Sequence, residues 1–327
     1  MNILVTGAAG FVGFHSALRL LEGGHQVHGL DNVNDYYDIG LKEARLEQLI
    51  GKEGFSFSRM DLSDREGMAE LFKSSAFDVV LHLGAQAGVR YSIDNPFAYV
   101  DSNLTGMLTV LEGCRHSAVK HLIYASSSSV YGANTKQPFS IEDRVDSPIS
   151  LYAATKKADE LMSQTYAHLY RFPITGLRFF TVYGPWGRPD MAYFKFANAI
   201  TSGKPIDVYN NGDMKRDFTY IDDIVDGIQT LVEGEPSGRH DDTPHRVYNL
   251  GNNSPEPLLE MISLLEKALG READKNFLPM QPGDVHATYA DIAPSTRDFN
   301  FVPKTDLASG LQQFAAWYRS FYPERFR

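Results

Sequence analysis

The tightest constraint on this chain lies in its first two dozen residues. Gly7, Gly10 and Gly13 are spaced G-x-x-G-x-x-G between an apolar run, Asn2 to Thr6 (NILVT), and a segment, Phe11 to Glu22, in which Val12, Leu18 and Leu21 fall at helical spacing. A short apolar run bounded by glycine reads as a parallel strand buried on both faces, and Gly23 and Gly24 stop the helix. Strand, glycine turn and helix in this order make a cradle for a pyrophosphate. The backbone can turn tightly, approach closely and offer the unpaired N–H groups of a helix start at Phe11, Val12 and Gly13. Asp31 ends the next strand, Gln26 to Leu30, and Asn32 follows it. A carboxylate at that point accepts ribose hydroxyls and repels a 2′-phosphate, which favours NAD over NADP.

The alternation continues. Phe55 to Met60, Val79 to Leu83, His121 to Ala125 and Ile174 to Phe180 read as strands, and Asp64 to Lys73, Pro96 to Arg115 and Tyr152 to Tyr170 as helices. Strands alternating with helices imply a parallel sheet covered on both faces. The fold class expected is therefore α/β, a Rossmann-like doubly wound parallel sheet over residues 1–180. Beyond Tyr183 proline and glycine become frequent, strands look short, and Ser237 to Pro244 reads as a polar loop. Residues 181–327 are expected to form a smaller mixed α/β substrate-binding domain, with a segment near 217–234 returning to the sheet.

The chain has 327 residues, 43% of them hydrophobic and 22% charged, enough for a large core and unlike a disordered or disulfide-built chain. Its net charge of −10 argues against nucleic-acid binding, which depends on cations placed against phosphates. Cys114 stands alone and reads as a small core residue, in keeping with a reducing compartment. Met1 to Phe14 has no basic flank and too many glycines for a signal peptide, and no run is long enough to span a bilayer. A cytoplasmic protein without membrane attachment is expected.

The second chemical signal is Tyr152-Ala-Ala-Thr-Lys156 on a predicted helix. Residues four apart share a face, so phenol and ammonium point into one space. A free phenol titrates near ~10, and a neighbouring cation favours its ionised form. A phenolate so favoured can take a hydroxyl proton while the same carbon loses a hydride to a nicotinamide. Asp222 and Asp223 lack a further ligand at metal-binding spacing and read as helix-cap residues.

These motifs resemble the extended short-chain dehydrogenase/reductase superfamily. Asp61-Leu62 after the third strand, Gly84-Ala-Gln-Ala87 after the fourth, and the serine run Ser126 to Ser129 about 25 residues before Tyr152 carry the resemblance further. It implies that Asp61 and Leu62 contact the adenine, that Leu83, Ala85 and Gln86 lie along the cofactor, and that Asn103, which helps order the site, is a cofactor contact. It also implies that Tyr152 and Lys156 hold the nicotinamide half as well as the proton, and that Ser127, joined by Ser129, is the third catalytic group.

Across nearly the whole length the chain is most similar to NAD-dependent nucleotide-sugar epimerases, and among these to the UDP-glucuronate 4-epimerases. The carrying segments are Ser126 to Gly132, Tyr152 to Lys156, Arg178 to Arg188 (RFFTVYGPWGR), Arg216 to Asp223 (RDFTYIDD) and Met280 to Val285 (MQPGDV). The resemblance implies that Ser127, Ser128 and Ser129 face the sugar, Thr181 and Arg188 hold a C6 carboxylate, and Arg90 is a further substrate contact. Arg216 would meet the diphosphate and Asp284 the uridine ribose. Gln281 stands where galactose epimerases carry another diphosphate arginine, leaving Lys195 and Lys204 as substitute cations.

Sugar dehydratases and UDP-glucuronate decarboxylases resemble this chain but carry an acidic residue just before the Val-Tyr-Gly of the serine motif. Ser128 and Ser129 do not ionise, so the agent for elimination is missing, which favours epimerisation. UDP-galactose 4-epimerase and UDP-glucuronate decarboxylase are the alternative activities, and an NAD-sensing scaffold without activity is the rival of another class. A UDP-sugar as the substrate, and a homodimer formed through a four-helix bundle of 96–115 and 152–171, are implied by the resemblance.

Overall fold

A computed structural model describes residues 1–238, 241–281 and 285–326. Six strands run through the first 180 residues: β1 (Asn2–Thr6), β2 (Gln26–Asp31), β3 (Phe55–Arg59), β4 (Val79–His82), β5 (His121–Ser127) and β6 (Ile174–Phe179). After them come β7 (Thr181–Tyr183), β8 (Ile206–Val208), β9 (Lys215–Tyr220), β10 (His245–Leu250), β11 (Pro255–Pro257) and β12 (Lys275–Phe277). Seven strands pair in parallel in the order β10-β6-β5-β4-β1-β2-β3. The order reverses beside β1, and the crevice at such a reversal is where open α/β sheets bind ligands.

The helices between strands are α1 (Phe11–Glu22), α2 (Ile39–Glu47), α3 (Arg65–Ser74), α4 (Tyr91–Asp94), α5 (Pro96–Tyr99), α6 (Gly106–His116) and α7 (Leu151–Tyr170). The remainder are α8 (Ala192–Thr201), α9 (Ile221–Glu233), α10 (Leu258–Leu269), α11 (Ala293–Phe299) and α12 (Leu307–Phe321). Alternate residues of the sheet feed two cores. Ile3, Val5, Leu81 and Ile123 join Phe14 of α1 and Ile228 of α9, whereas Leu4, Val80 and Leu122 join Phe72 of α3 and Val110 of α6. This two-sided burial is why Ile3 to Val5 of β1 and Val79 to Leu81 of β4 are continuously apolar rather than alternating.

Strands and helices of the first 180 residues fall where the sequence predicts them, within about two residues at the ends. Asp64 caps α3 by accepting from Gly67 N at 3.0 Å, and Ser150 caps α7 by accepting from Ala153 N at 3.1 Å. The predicted helix 96–115 is built from α5, a π-helical stretch Val100–Thr105 and α6. Among the elements that escape the sequence pattern are α2, the short α4 and β10. In α2 the buried face includes Lys42 and Arg45, which hides its amphipathicity. Strand β10 lies at the sheet edge after a polar loop, and its first half is only partly buried. Of the segment expected to return near 217–234, α9 packs on α1 and is tied to it by Arg19 and Asp226, but β9 pairs in the smaller sheet and the strand that rejoins the large sheet is β10.

The smaller layer holds the sheet β11-β9-β7, the pair β12-β8, and helices α8, α10 and α12. Tyr193 and Phe194 of α8 meet Phe314, Trp317 and Tyr318 of α12 in one aromatic cluster. Asp222 and Asp223 sit in the first turn of α9 rather than at its cap, and Asp223 accepts from Thr305 N at 3.0 Å. Among the described residues there is no helix long and apolar enough to cross a membrane, and no cluster of three metal-ligating side chains.

Candidate active site

A cavity of about 760 Å³ opens at the C-terminal ends of the central strands and runs under the smaller layer. At one end is the glycine turn. Gly7 has φ +72°, and a Cβ there would lie 2.7 Å from Gly84 N; one on Gly13 would lie 2.0 Å from Gly7 O. These positions therefore exclude a side chain. Gly10 enters α1 in an extended conformation, and no side chain caps that helix. The helix start is left open toward the cavity, as a phosphate needs.

Asp31, Asn32, Asp61 and Leu62 line the next stretch of wall. The Asp31 carboxylate accepts from Ala9 N at 3.1 Å and Val33 N at 2.8 Å. Burial pushes its carboxyl upward, opposed by those two N–H groups and by Lys42. Asn32 donates to Asp61 at 2.6 Å, which ties the ends of β2 and β3 together. Leu83, Ala85 and Gln86 continue the wall along β4. The glycine cradle and the carboxylate at the tip of β2 suit a dinucleotide with free ribose hydroxyls.

Asn103 requires a correction, because it does not line the cavity. It is 1% exposed and wholly engaged: Oδ1 accepts from Gln86 N at 2.8 Å, and Nδ2 donates to Gln86 O and to Thr155 Oγ1, each at 3.0 Å. It fastens the loop after β4 to α7 and so orders the site from behind the cavity wall.

The chemical end is assembled from β5, α7 and the segment after β6. Ser127, Ser128, Ser129, Tyr152, Lys156, Thr181 and Arg188 all face the cavity. Strand β5 runs two residues further than predicted, which carries Ser127 to its tip. The Ser127 Oγ accepts from Ser129 N at 3.1 Å, leaving its own O–H to donate outward. The Tyr152 ring rests edge-on against Tyr99, at 6.1 Å between centroids, and Tyr99 donates to Ala87 O at 3.0 Å.

Sequence reasoning missed the frame behind these groups. Glu160, one turn beyond Lys156, accepts from Arg178 Nε at 2.8 Å and Nη2 at 2.9 Å, and from Ser126 Oγ at 2.7 Å. Arg178 also donates to Tyr131 at 3.1 Å. The serine motif, β6 and α7 are thus locked at fixed spacing. A glutamate four residues after the lysine is a visible signal, but its meaning depends on an arginine 18 residues away in sequence.

Asp190 is a second residue that was missed. The Arg188 guanidinium lies along its carboxylate, with Nε to Oδ1 at 3.0 Å and a further contact from Nη2 to Oδ2. Tyr36, from the loop after β2, donates to the same carboxylate at 3.1 Å. Burial would raise the Asp190 carboxyl, but Arg188 outweighs it and holds the group below its ordinary range. With Nε and one edge of Nη2 occupied, the Nη1 side of the fork still has donors for another anion.

The remaining predicted residues are spread more widely. Arg90 faces the cavity and lies over the Tyr209 ring at 5.1 Å. Lys195 also lines it, whereas Lys204 is exposed elsewhere. Arg216 is not in the lining; its Nη1 donates to Lys215 O at 2.9 Å and His286 O at 3.2 Å. Asp284 lies outside the described residues.

Residues 3–251 match the NAD dependent epimerase/dehydratase family. The chain belongs to that family. NAD is the cofactor of this epimerase/dehydratase, and the glycine turn, Asp31 and Lys156 all line the one cavity. The protein CapI of Staphylococcus aureus is 53% identical over 333 residues, spanning 98% of this chain and 99% of CapI. UDP-glucuronate 4-epimerase 1 of Arabidopsis thaliana is 49% identical over 333 residues, 98% of this chain and 77% of that one. A UDP-glucuronic acid 4-epimerase from Bacillus cereus, solved with UDP-glucuronic acid and NAD, superposes with a TM-score of 0.90 at 35% identity, covering 98% of this chain and all of that one.

Proposed function

We propose that this protein is an NAD-dependent isomerase that inverts C4 of UDP-glucuronate to give UDP-galacturonate through a transient 4-keto sugar. The observation that carries the reading is one cavity lined at one end by the Gly7–Gly13 turn and Asp31 and at the other by Ser127, Tyr152, Lys156, Thr181 and Arg188. Relatives and solved neighbours that act on UDP-glucuronate over the full chain length support it.

Bound NAD supplies the site that accepts a hydride from C4 and gives it back. The Tyr152 phenol takes the C4 hydroxyl proton and later returns it. Lys156 favours the ionised phenol and helps hold the nicotinamide ribose. The Ser127 hydroxyl donates to the C4 oxygen as its charge changes, with Ser128 and Ser129 beside the sugar. Thr181 and Arg188 hold the C6 carboxylate, which keeps the C5–C6 bond of the β-keto acid out of line with the ketone and so slows decarboxylation. Arg90 is a further contact to the sugar, and Lys195 is the substitute cation for the diphosphate. Arg216 and Asp284 remain the expected diphosphate and uridine contacts.

Residues 1–180 are read as the cofactor half and 181–327 as the substrate half. A homodimer through α5, α6 and α7 is part of the same reading. Phe97 is 78% exposed, Leu161 57% and Leu169 59%, an apolar stripe that water alone covers poorly. Sedimentation of the parent against a Leu161→Glu, Leu169→Glu chain tests it. A cytoplasmic location fits the lone buried thiol of Cys114.

The activity is tested by following UDP-glucuronate by NMR with the purified holoenzyme. UDP-galacturonate signals at equilibrium are expected. A UDP-pentose with carbon dioxide as the main product, or conversion of UDP-galactose alone, overturns the reading.

A further inference from the structure

One acidic side chain at the chemical end has no part in the roles above. Asp159 lies three residues after Lys156 on α7 and places Oδ2 3.0 Å from the Lys156 Nζ. The two side chains are 1% and 3% exposed. The other oxygen, Oδ1, is buried with no hydrogen-bond partner. Lys156 lines the cavity and Asp159 does not.

Stability does not account for this carboxylate. Glu160 already anchors α7 through Arg178 and Ser126. A buried ion pair with an unsatisfied oxygen is commonly no better than an apolar pair of the same size, because both charges lose their hydration. What Asp159 does have is a contact with the ammonium on which the phenol chemistry depends. An ammonium without a counter-charge, joined by a cationic nicotinamide, would hold Tyr152 in its ionised form. An epimerase needs the same group first to take a proton and then to return it.

We propose that Asp159 acts through Lys156 as a positioning residue and counter-charge, fixing the ammonium and limiting how strongly it favours the phenolate of Tyr152. This rests on the reading of Tyr152 and Lys156 given above. The charged group nearest the pair is Glu160, which opposes ionisation of Asp159; the other groups packed around it are neutral or paired elsewhere. Burial, then Lys156, pushes His82 of β4 down to about 3, and burial pushes His245 of β10 down to about 4, so both are neutral near pH 7. Burial, then Glu160, pushes Tyr124 of β5 well above its ordinary value, and burial raises Tyr99 of α5. Lys157 faces Glu160 at 3.6 Å, and Glu160 closes on Arg178 of β6. Burial pushes Asp159 itself up to about 6, and the Lys156 ammonium 3.0 Å away opposes that rise.

The test compares Asp159→Asn and Asp159→Ser holoenzymes with the parent across pH. Removing the negative charge should move the acid limb of kcat to lower pH by on the order of one unit. Tyrosinate absorbance of each chain, taken against its Tyr152→Phe counterpart, should move the same way without any turnover. A limb that stays in place while kcat falls points to packing alone and overturns the proposal, as does a limb that moves up. If neither variant folds, Asp159→Glu decides: it keeps the charge and must keep the parent's limb, and a displacement of a full unit overturns the proposal. Tyr152→Phe in the parent separates the two failures. Full turnover there sinks the reading of Tyr152, whereas a silent Tyr152→Phe with an unmoved limb in Asp159→Asn sinks the counter-charge alone.

Discussion

Arg188 and Asp190 meet side-on in the wall of the cavity that Tyr152 enters, and Tyr36 from the loop after β2 closes on the same carboxylate. The arginine offered for the substrate's carboxylate is therefore already held in one orientation. An arginine fixed in this way loses little side-chain entropy when an anion arrives.

Arg188→Ala is expected to raise KM for UDP-glucuronate and lower kcat/KM about 10–100-fold, the scale of one lost charge-assisted contact of ~1.5–3 kcal/mol. Any turnover of a neutral UDP-hexose should change far less, and the fraction of UDP-pentose in the product should rise. Equal losses on both substrate types would place the guanidinium away from C6. Product analysis by anion-exchange chromatography reads all three.

Tyr152→Phe should lower kcat by roughly 10²–10⁴-fold, the usual worth of a positioned acid–base group. Retained nicotinamide, measured by absorbance after gel filtration, should be unchanged, because the ring still packs on Tyr99. Loss of cofactor together with activity would assign the hydroxyl to binding.

Gly13→Ala places a methyl 2.0 Å from Gly7 O, against backbone that cannot swing aside. The chain should purify with little or no NAD, at otherwise similar secondary structure by circular dichroism. Normal cofactor content would show that the turn is not the pyrophosphate cradle.

Glu160→Gln leaves the Arg178 guanidinium buried beside a neutral amide, with both side chains 4% exposed in the parent. Breaking one side of such a pair costs about 3–5 kcal/mol. Denaturant unfolding should show that loss, and the activity remaining in folded protein should also fall, since Ser126 loses its charged partner.

His82 gives the pH dependence of stability a defined sign. It is buried, bonded to Thr6 Oγ1 at 2.8 Å, and pushed from 6.5 down to about 3 by burial and then by Lys156. Its pKa is lower folded than unfolded, so its contribution is complete above pH 6.5 and is lost as pH falls from there toward 3. His82→Asn should show a shallower fall in Tm between pH 6.5 and 4 than the parent. Parallel curves would mean that other groups control acid unfolding.

How far the sequence could be read follows from where each interaction sits along it. The glycine turn, Asp31 and the Tyr152–Lys156 pair are local patterns whose spacing already states their geometry, and the structure gathers them in one cavity. Asn103 is visible as a helix residue, but its engagement with Gln86 and Thr155 is tertiary, which is why it could be mistaken for a cofactor contact. Asp190 lies two residues from a predicted arginine, yet its role needs Tyr36, 154 residues away. Lys42 and Arg45 hid α2 because their charges are buried against backbone carbonyls rather than apolar neighbours. A pattern of hydrophobic spacing cannot register that kind of burial.

Strand β10 makes the first part of the smaller layer, β7 to β9, an excursion from the large sheet, to which β11, α10, β12 and α12 are added after the chain has returned. The chain leaves the large sheet after β6, builds most of the wall over the cavity, and re-enters the same sheet immediately beside β6 through β10. The covering part is therefore moored at two adjacent points. A cover tied at both ends to neighbouring strands has less freedom than one hanging on a single tether. It also means that cutting the chain after residue 180 would not release an intact cofactor-binding half, since the sheet would be left with an open flank along β6.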